Sequence, residues 1–426
     1  MTRDAAAPLD KRGQFIVARK RELFDALVGD LGGAGEEAER LYQLITATVH
    51  YEYLDELEEL HDAYYYLNPA LRLTRPAVDV DAAYATLTAA LERVLSGANF
   101  IEVTPEELER ASQETGRIRT PVRNGAADFR AIRVFRRGRH DEEIERSSWF
   151  GLRRRKVTIE IYDEVVLFAA LKTELPQRRK TRKPMRAVVP GSVMTKYFHN
   201  IASADLDALY PNVRAVLTLR DAMMLVVPAI AGGIPLLLKL APTLFVLYGL
   251  VLFYLGAGAP SSDAIGEALL VASFFIALGG FILNQWIKYE RRSLRYQQEV
   301  NDTIYFHNVT NNVGLFDHLI GVAEEQEVKE ALLAYFMLHA ADRPLTEREL
   351  DSSIEDWLQR RFSLALDFEV DDALAKLERF GILARDGDML SVLPPAEALA
   401  ALDHRWDGFF HFPAAPEQPQ TRGLAV

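Results

Sequence analysis

The sequence predicts a mixed α+β chain. It reads as a mainly helical, membrane-anchored protein with a small antiparallel sheet in the N-terminal domain, a central transmembrane helical hairpin and a C-terminal winged-helix-like unit. Three observations lead there. Apolar residues recur at helical spacing from about Phe15 to Ser112, and again from Glu324 to Phe380. Val157, Ile159 and Ile161 alternate strictly with polar neighbours, the period of a strand with one buried face. Between these regions lies a nearly unbroken apolar run from Ala222 to Ala259, with a second from Ala268 to Ile287.

A chain of 426 residues exceeds one simple core and divides into two or three units. The division expected is a helical region over 1–115, a basic sheet region over 116–221, a membrane segment over 222–290, a helical, winged-helix-like region over 291–412 and a disordered tail over 413–426. The formal net charge of -12 argues against a general nucleic-acid binder. The absence of cysteine excludes disulfides, thiolate metal sites and a cysteine nucleophile. The first residues carry Asp4 and Asp10 and no long apolar run, unlike a secretory signal or an acid-poor presequence.

The N-terminal helices follow Leu23 and Leu27, then Leu41, Leu44, Ile45 and Val49, then Leu54, Leu57 and Leu60. A further helix starts at Asp79 and Asp81 and stops at Gly97. Thr104-Pro105-Glu106-Glu107 opens another, with a cap followed by proline in the first turn. The texture then becomes strand-like at Phe129, Ile132, Val134 and Phe135. Arg136-Arg137-Gly138-Arg139 reads as a turn into an antiparallel meander.

This region is basic. Residues 117–186 hold twenty cations against nine carboxylates. Arg153, Arg154, Arg155 and Lys156 form one run, and Arg178, Arg179 and Lys180 lie in a second. The functional expectation is a patch facing the bilayer's anionic lipid headgroups; RNA is an alternative with few interleaved aromatics to support it, and a solvated face balanced by the acidic remainder of the chain is the other.

As one straight helix, Ala222 to Ala259 would be about 57 Å long, against a hydrocarbon core of about 30 Å. Lys239 and Pro242 mark a break, which gives spans at 241–259 and 268–287 joined by a turn around Ser261. The piece 222–238, with Pro228, Gly232, Gly233 and Pro235, is a poor continuous helix and stays open as a third span or an interfacial segment. Lys239 precedes the first span; Lys288, Arg291 and Arg292 follow the second; the connecting turn has no lysine or arginine. Two spans therefore satisfy the positive-inside rule, with both termini cytoplasmic in a prokaryotic inner membrane. Gly232-Gly233 and Gly279-Gly280 read as packing points between helices.

Two stretches carry a family likeness. Lys196-Tyr197-Phe198-His199-Asn200-Ile201, continuing through Asp205 to Pro211, is one. Tyr305 to Gly314, with its paired Asn311 and Asn312, followed by Glu324 to Tyr335, is the other. With Ile159 to Val166 they resemble, in order, an uncharacterised membrane-protein family related to transmembrane protein 143. Ala202 stands where that family usually has proline. The resemblance covers about Thr158 to Phe380. It implies a membrane protein with a cytoplasmic or matrix-facing part, and no known activity.

Towards the C-terminus, Thr346-Glu347-Arg348-Glu349 is a capping box and Glu369 to Phe380 a further helix stopped by Gly381. Arg385-Asp386-Gly387-Asp388 is a hairpin turn between Ile382-Leu383 and Met389–Val392. Helices followed by a hairpin resemble a winged helix. Residues 342–407 carry sixteen carboxylates against eight cations, which would repel phosphate, so a protein partner is expected rather than nucleic acid.

No phosphate loop, nucleophile elbow or zinc-protease helix is present, and neither a catalytic set nor a cofactor is assigned. His50 and His61 share a helix face and Glu58 with His61 makes a Glu-x-x-His pair, but matching carboxylates for a di-metal site are lacking, so a polar surface is the simpler reading. Asn308, Asn311 and Asn312 with Asp317 and His318 form a polar cluster, read as caps and turns, with an ion or ligand site as the alternative. The leading expectation is an interaction, scaffold or regulatory protein. The alternatives are an enzyme acting on lipid or headgroup, for which His199, Asp205 and Asp317 are the residues to test, and a transporter component, which would need several copies to enclose a path.

Overall fold

The computed structural model describes residues 15–31, 35–70, 79–112, 116, 122–123, 128–148, 153–174, 189–210, 214–215, 247–249, 251–252, 255–256 and 264–409. Within these the chain is a mixture of helices and antiparallel sheet. Three helices come first: α1 (Lys20–Leu31), α2 (Glu36–Tyr65) and α3 (Val80–Gly97). Asp79 caps α3 by accepting from the amides of Asp81 and Ala82, as its sequence position suggests. A short β1 (Ile101–Glu102) and α4 (Pro105–Ser112) lead into the sheet.

The main sheet has five antiparallel strands in the order β1-β3-β4-β5-β7, with β3 at Phe129–Ser148, β4 at Arg153–Leu171, β5 at Val193–Ala202 and β7 at Asn308–Asn311. A two-residue pair, β2 (Val122–Arg123) and β6 (Arg214–Ala215), stands apart from it. The apolar end of β4 is covered on both sides, which explains its continuous run. Val166, Phe168 and Ala170 enter the main core. Val165 and Leu167 enter a second cluster with Phe198, Leu206 and Leu209, the last two from a 3-10 helix at Ser203–Leu209.

The predicted turn at Arg136–Arg139 is not a turn. The strand continues through it, with Arg137 opposite Glu164 and Arg139 opposite Tyr162. Gly138 keeps its place in the strand with a positive φ of 65°, which glycine adopts at little cost.

After β6, a 44-residue helix α5 (Ala264–His307) leads into β7 and the central helix α6 (Val313–Ala340). From Val328 to Leu338 every residue of α6 is buried, and the helix shares one core with α1, α2, α3 and the C-terminal helices. Those are α7 (Glu347–Phe362), α8 (Val370–Arg379) and α9 (Pro395–Gly408), with the hairpin β8 (Leu383–Asp386) and β9 (Met389–Val392) between the last two. The capping box forms: Glu349 N–H donates to Thr346 Oγ1 at 3.4 Å, and Thr346 N–H to Glu349 Oε2 at 2.9 Å.

The transmembrane hairpin is corrected. Among the described residues, no helix is long and apolar enough to cross a membrane. The run 268–287 does not end as a hairpin arm. It is part of α5, which continues without a break through Lys288, Glu290 and Arg291 to His307. Its described positions mix Phe275, Ile276 and Leu283 with Ser273, Gly279, Gly280 and Asn284. Most of the run 241–259, and all of 222–238, lie outside the described residues. The multi-pass placement in an inner membrane rested on that hairpin and is corrected with it.

Candidate functional site

The site begins with a register. Pairing of β3 with β4 sets Arg137 opposite Glu164. Arg137 Nε donates to Glu164 Oε2 at 2.5 Å and Nη1 donates to the carbonyl of Ala98 at 3.1 Å. The guanidinium lies 4.6 Å from the Phe15 ring centroid and 5.0 Å from that of Phe100, so a charge 7 % exposed is paired and stacked.

The central helix supplies the opposite wall. Asp317, Gly321, Glu325 and Lys329 recur every four residues and so share a face, with His318 and Val322 beside them. His199 and Asn200 at the end of β5 close one side, and Phe15 to Arg19 another. Together they bound a cleft of about 710 Å³.

The electrostatics are those of paired groups around a few poised ones. Asp163 faces His140 at 2.6 Å and Asp317 faces His61 at 3.3 Å. His199 accepts through its carbonyl from His307 Nδ1 at 2.8 Å. The His318 ring meets the Tyr197 ring edge-on at 4.4 Å, and its buried Nε2 has no partner among the described residues. Burial lowers the His318 pKa, which favours the neutral ring at pH 7. Burial also pulls the Lys329 ammonium down to about 8 against the pull of Glu325.

The cleft already holds a piece of main chain. Ile16 N–H donates to Gln326 Oε1 at 3.3 Å, and Lys329 Nζ donates to the carbonyl of Ile16 at 2.9 Å. Both polar groups of one residue are thus held by side chains less than a turn apart on α6. Lys20 N–H donates to Glu325 Oε1 at 2.7 Å. Gln326 reaches the other way too, donating through Nε2 to Glu330 Oε1 at 2.7 Å. Glu330 is ion-paired with Lys376 of α8.

Of the residues singled out from the sequence, His199 and Asp317 meet in this cleft together with His318. Asp205 does not; it is buried in the 3-10 helix. His50 and His61 face Glu324 at 2.9 Å and Asp317 at 3.3 Å on α6. Among the described residues no group of three or more histidines and carboxylates is placed to hold a metal ion. The asparagine run forms β7 and its exit, where Asn312 Oδ1 accepts from the Thr195 amide at 3.3 Å.

The structure describes one of the two basic runs. Arg153 to Lys156 begin β4, where Lys156 faces Glu143 at 2.9 Å, Arg154 faces Glu145 at 3.6 Å and Arg155 is exposed. Lys288 and Arg291 are exposed on α5, which also carries Arg292. Arg178, Arg179, Lys180 and Lys239 lie outside the described residues.

Sequence reasoning missed Arg137, Glu164, Gln326, Lys329 and Glu330. No local signal marked the last three: Glu324 to Glu330 read as a polar, mainly acidic helix segment, and only the packed core buries Gln326, Lys329 and Glu330.

The class defined here is a mixture of helices and antiparallel sheet in which one largely buried helix lines a cleft and packs against the C-terminal helices and hairpin. Residues 162–314, well under half of the chain, match a family described as a protein of unknown function, DUF3754. No curated protein and no solved structure matches.

Proposed function

We propose that this chain is a regulatory interaction protein: the cleft receives a partner group, and the C-terminal unit responds. One observation carries the reading. The same helix lines the cleft with Asp317, His318, Glu325 and Lys329 and grips α8 through Glu330 and Lys376, while Gln326 reaches both Ile16 and Glu330. An event at the cleft therefore bears on the packing of α8 through two hydrogen bonds and an ion pair. The acidic surface of residues 342–407 favours a protein partner over nucleic acid.

A double-mutant cycle on the full chain tests this. Lys329→Met perturbs the cleft side and Lys376→Met the far side. The expected unfolding free energies are non-additive by at least about 0.5 kcal/mol. Additivity within about 0.3 kcal/mol would mean that the two faces of the helix do not communicate, and the regulatory reading would be dropped.

A further inference from the structure

We infer that the groove between α6 and the β3–β4 strands is a recognition site for an extended peptide, and that residues 15–20 of this chain are its resident occupant. The inference deepens the reading of the cleft as a receiving site and names the ligand class: a segment with an aromatic–aliphatic pair at its front and a basic residue four positions later.

The contacts define that chemistry one residue at a time. Phe15 lies against the Arg137 guanidinium at 4.6 Å. Ile16 is the anchor, 1 % exposed, and both its main-chain groups are bound by Gln326 and Lys329. Val17 is 63 % exposed and contributes no buried side chain. Lys20 reaches Glu325 with its amide at 2.7 Å and its ammonium at 4.0 Å. Main-chain capture plus one deep pocket is how proteins read extended peptides without regard to most of the side chains. Residues 15–19 precede α1, which Lys20 opens, and pair with no strand among the described residues, so what holds them is side-chain chemistry that a second peptide can reproduce. The open volume beside it leaves room for exchange. Glu325 and Asp317 along the helix favour a cationic rather than an anionic end.

The test uses the full-length chain and a fluorescent peptide with the sequence of residues 15–20. Ile16→Asp ejects the resident segment. The variant is expected to bind the peptide at least tenfold more tightly than the parent chain, by fluorescence anisotropy. Adding Lys329→Met should reverse that gain, and a peptide with aspartate in place of its isoleucine should not bind. If Ile16→Asp loses its cooperative melt, Phe15→Ala provides the same comparison. Equal binding by parent and variant, or none by a variant that melts cooperatively, overturns the inference. No peptide binding with a non-additive cycle would leave the regulatory reading standing. Tight peptide binding with an additive cycle would keep the groove and remove the regulation.

Discussion

Lys376 and Glu330 form an ion pair in which each side chain is only 2 % exposed. Lys376 also bonds Asp372 Oδ2 at 2.6 Å, and Glu330 accepts from Gln326 at 2.7 Å and Asn99 at 3.1 Å. Burial opposes the Lys376 ammonium, but Glu330, Glu327 and Asp372 outweigh it and hold its pKa above the usual lysine value. Burial raises the Glu330 carboxyl. α8 thus turns its buried lysine inward, onto a carboxylate of the central helix.

Removing one member of such a pair leaves the other buried and uncompensated. Lys376→Met is expected to cost about 3–5 kcal/mol in urea unfolding, whereas Lys376→Met with Glu330→Leu should recover much of that loss. A single substitution costing under about 1 kcal/mol would show that water reaches the pair.

Asp351 is raised to about 6 by burial and by Glu355, Asp367 and Asp371. Its ordinary value is 3.8, so between 3.8 and 6 the folded chain holds the proton that the unfolded chain has lost, and stability falls as pH rises. Asp351→Asn should therefore stabilise the protein at pH 7, by about 1 kcal/mol or less given its exposure. The gain should vanish below about pH 4. Thermal melts of both proteins across pH 3.5–7.5 decide it, and a gain unchanged at low pH would be incompatible with this cause.

Lys329 makes the opposite slope. Its folded pKa is about 8 against an ordinary 10.5, so between those values the unfolded chain binds more protons and this side chain makes stability rise with pH. The advantage of the parent over Lys329→Met should grow from pH 8 to 10 in paired urea titrations. A flat difference would place Lys329 in a wetter setting.

Gly138 combines a positive φ with a crowded neighbourhood, since an added Cβ would collide with the Asp163 carboxylate and the Phe15 ring. Gly138→Ala should destabilise the fold by at least about 1–2 kcal/mol. It should also speed tryptic cleavage after Arg19, because Phe15 is displaced. Unchanged cleavage would separate Gly138 from the N-terminal segment.

The sequence by itself determined the local elements. Period two at Val157, Ile159 and Ile161 gave β4, Thr346 and Glu349 gave a helix start, and the turn signal Arg385 to Asp388 gave a hairpin, whose strand runs on to Asp386 and whose turn is Gly387-Asp388. These signals lie within a few residues, where backbone geometry and hydrogen-bonding needs act directly. Only the tertiary structure decided the site. Ile16 meets Gln326 across 310 residues of chain, and no local period encodes that meeting. The same holds for His61 with Asp317, which the sequence left as a polar surface residue and one acid of a loose cluster. The expectation of two membrane spans failed for a related reason. Hydrophobic run length states how apolar a segment is, but where its helix begins and ends is set by its neighbours, and here one helix carries the run on into its charged half. Burial of Lys329, Glu330 and Lys376 is likewise a property of the packed core. Three charged side chains look like surface in a linear chain; they are tolerated inside because the fold brings each one a partner.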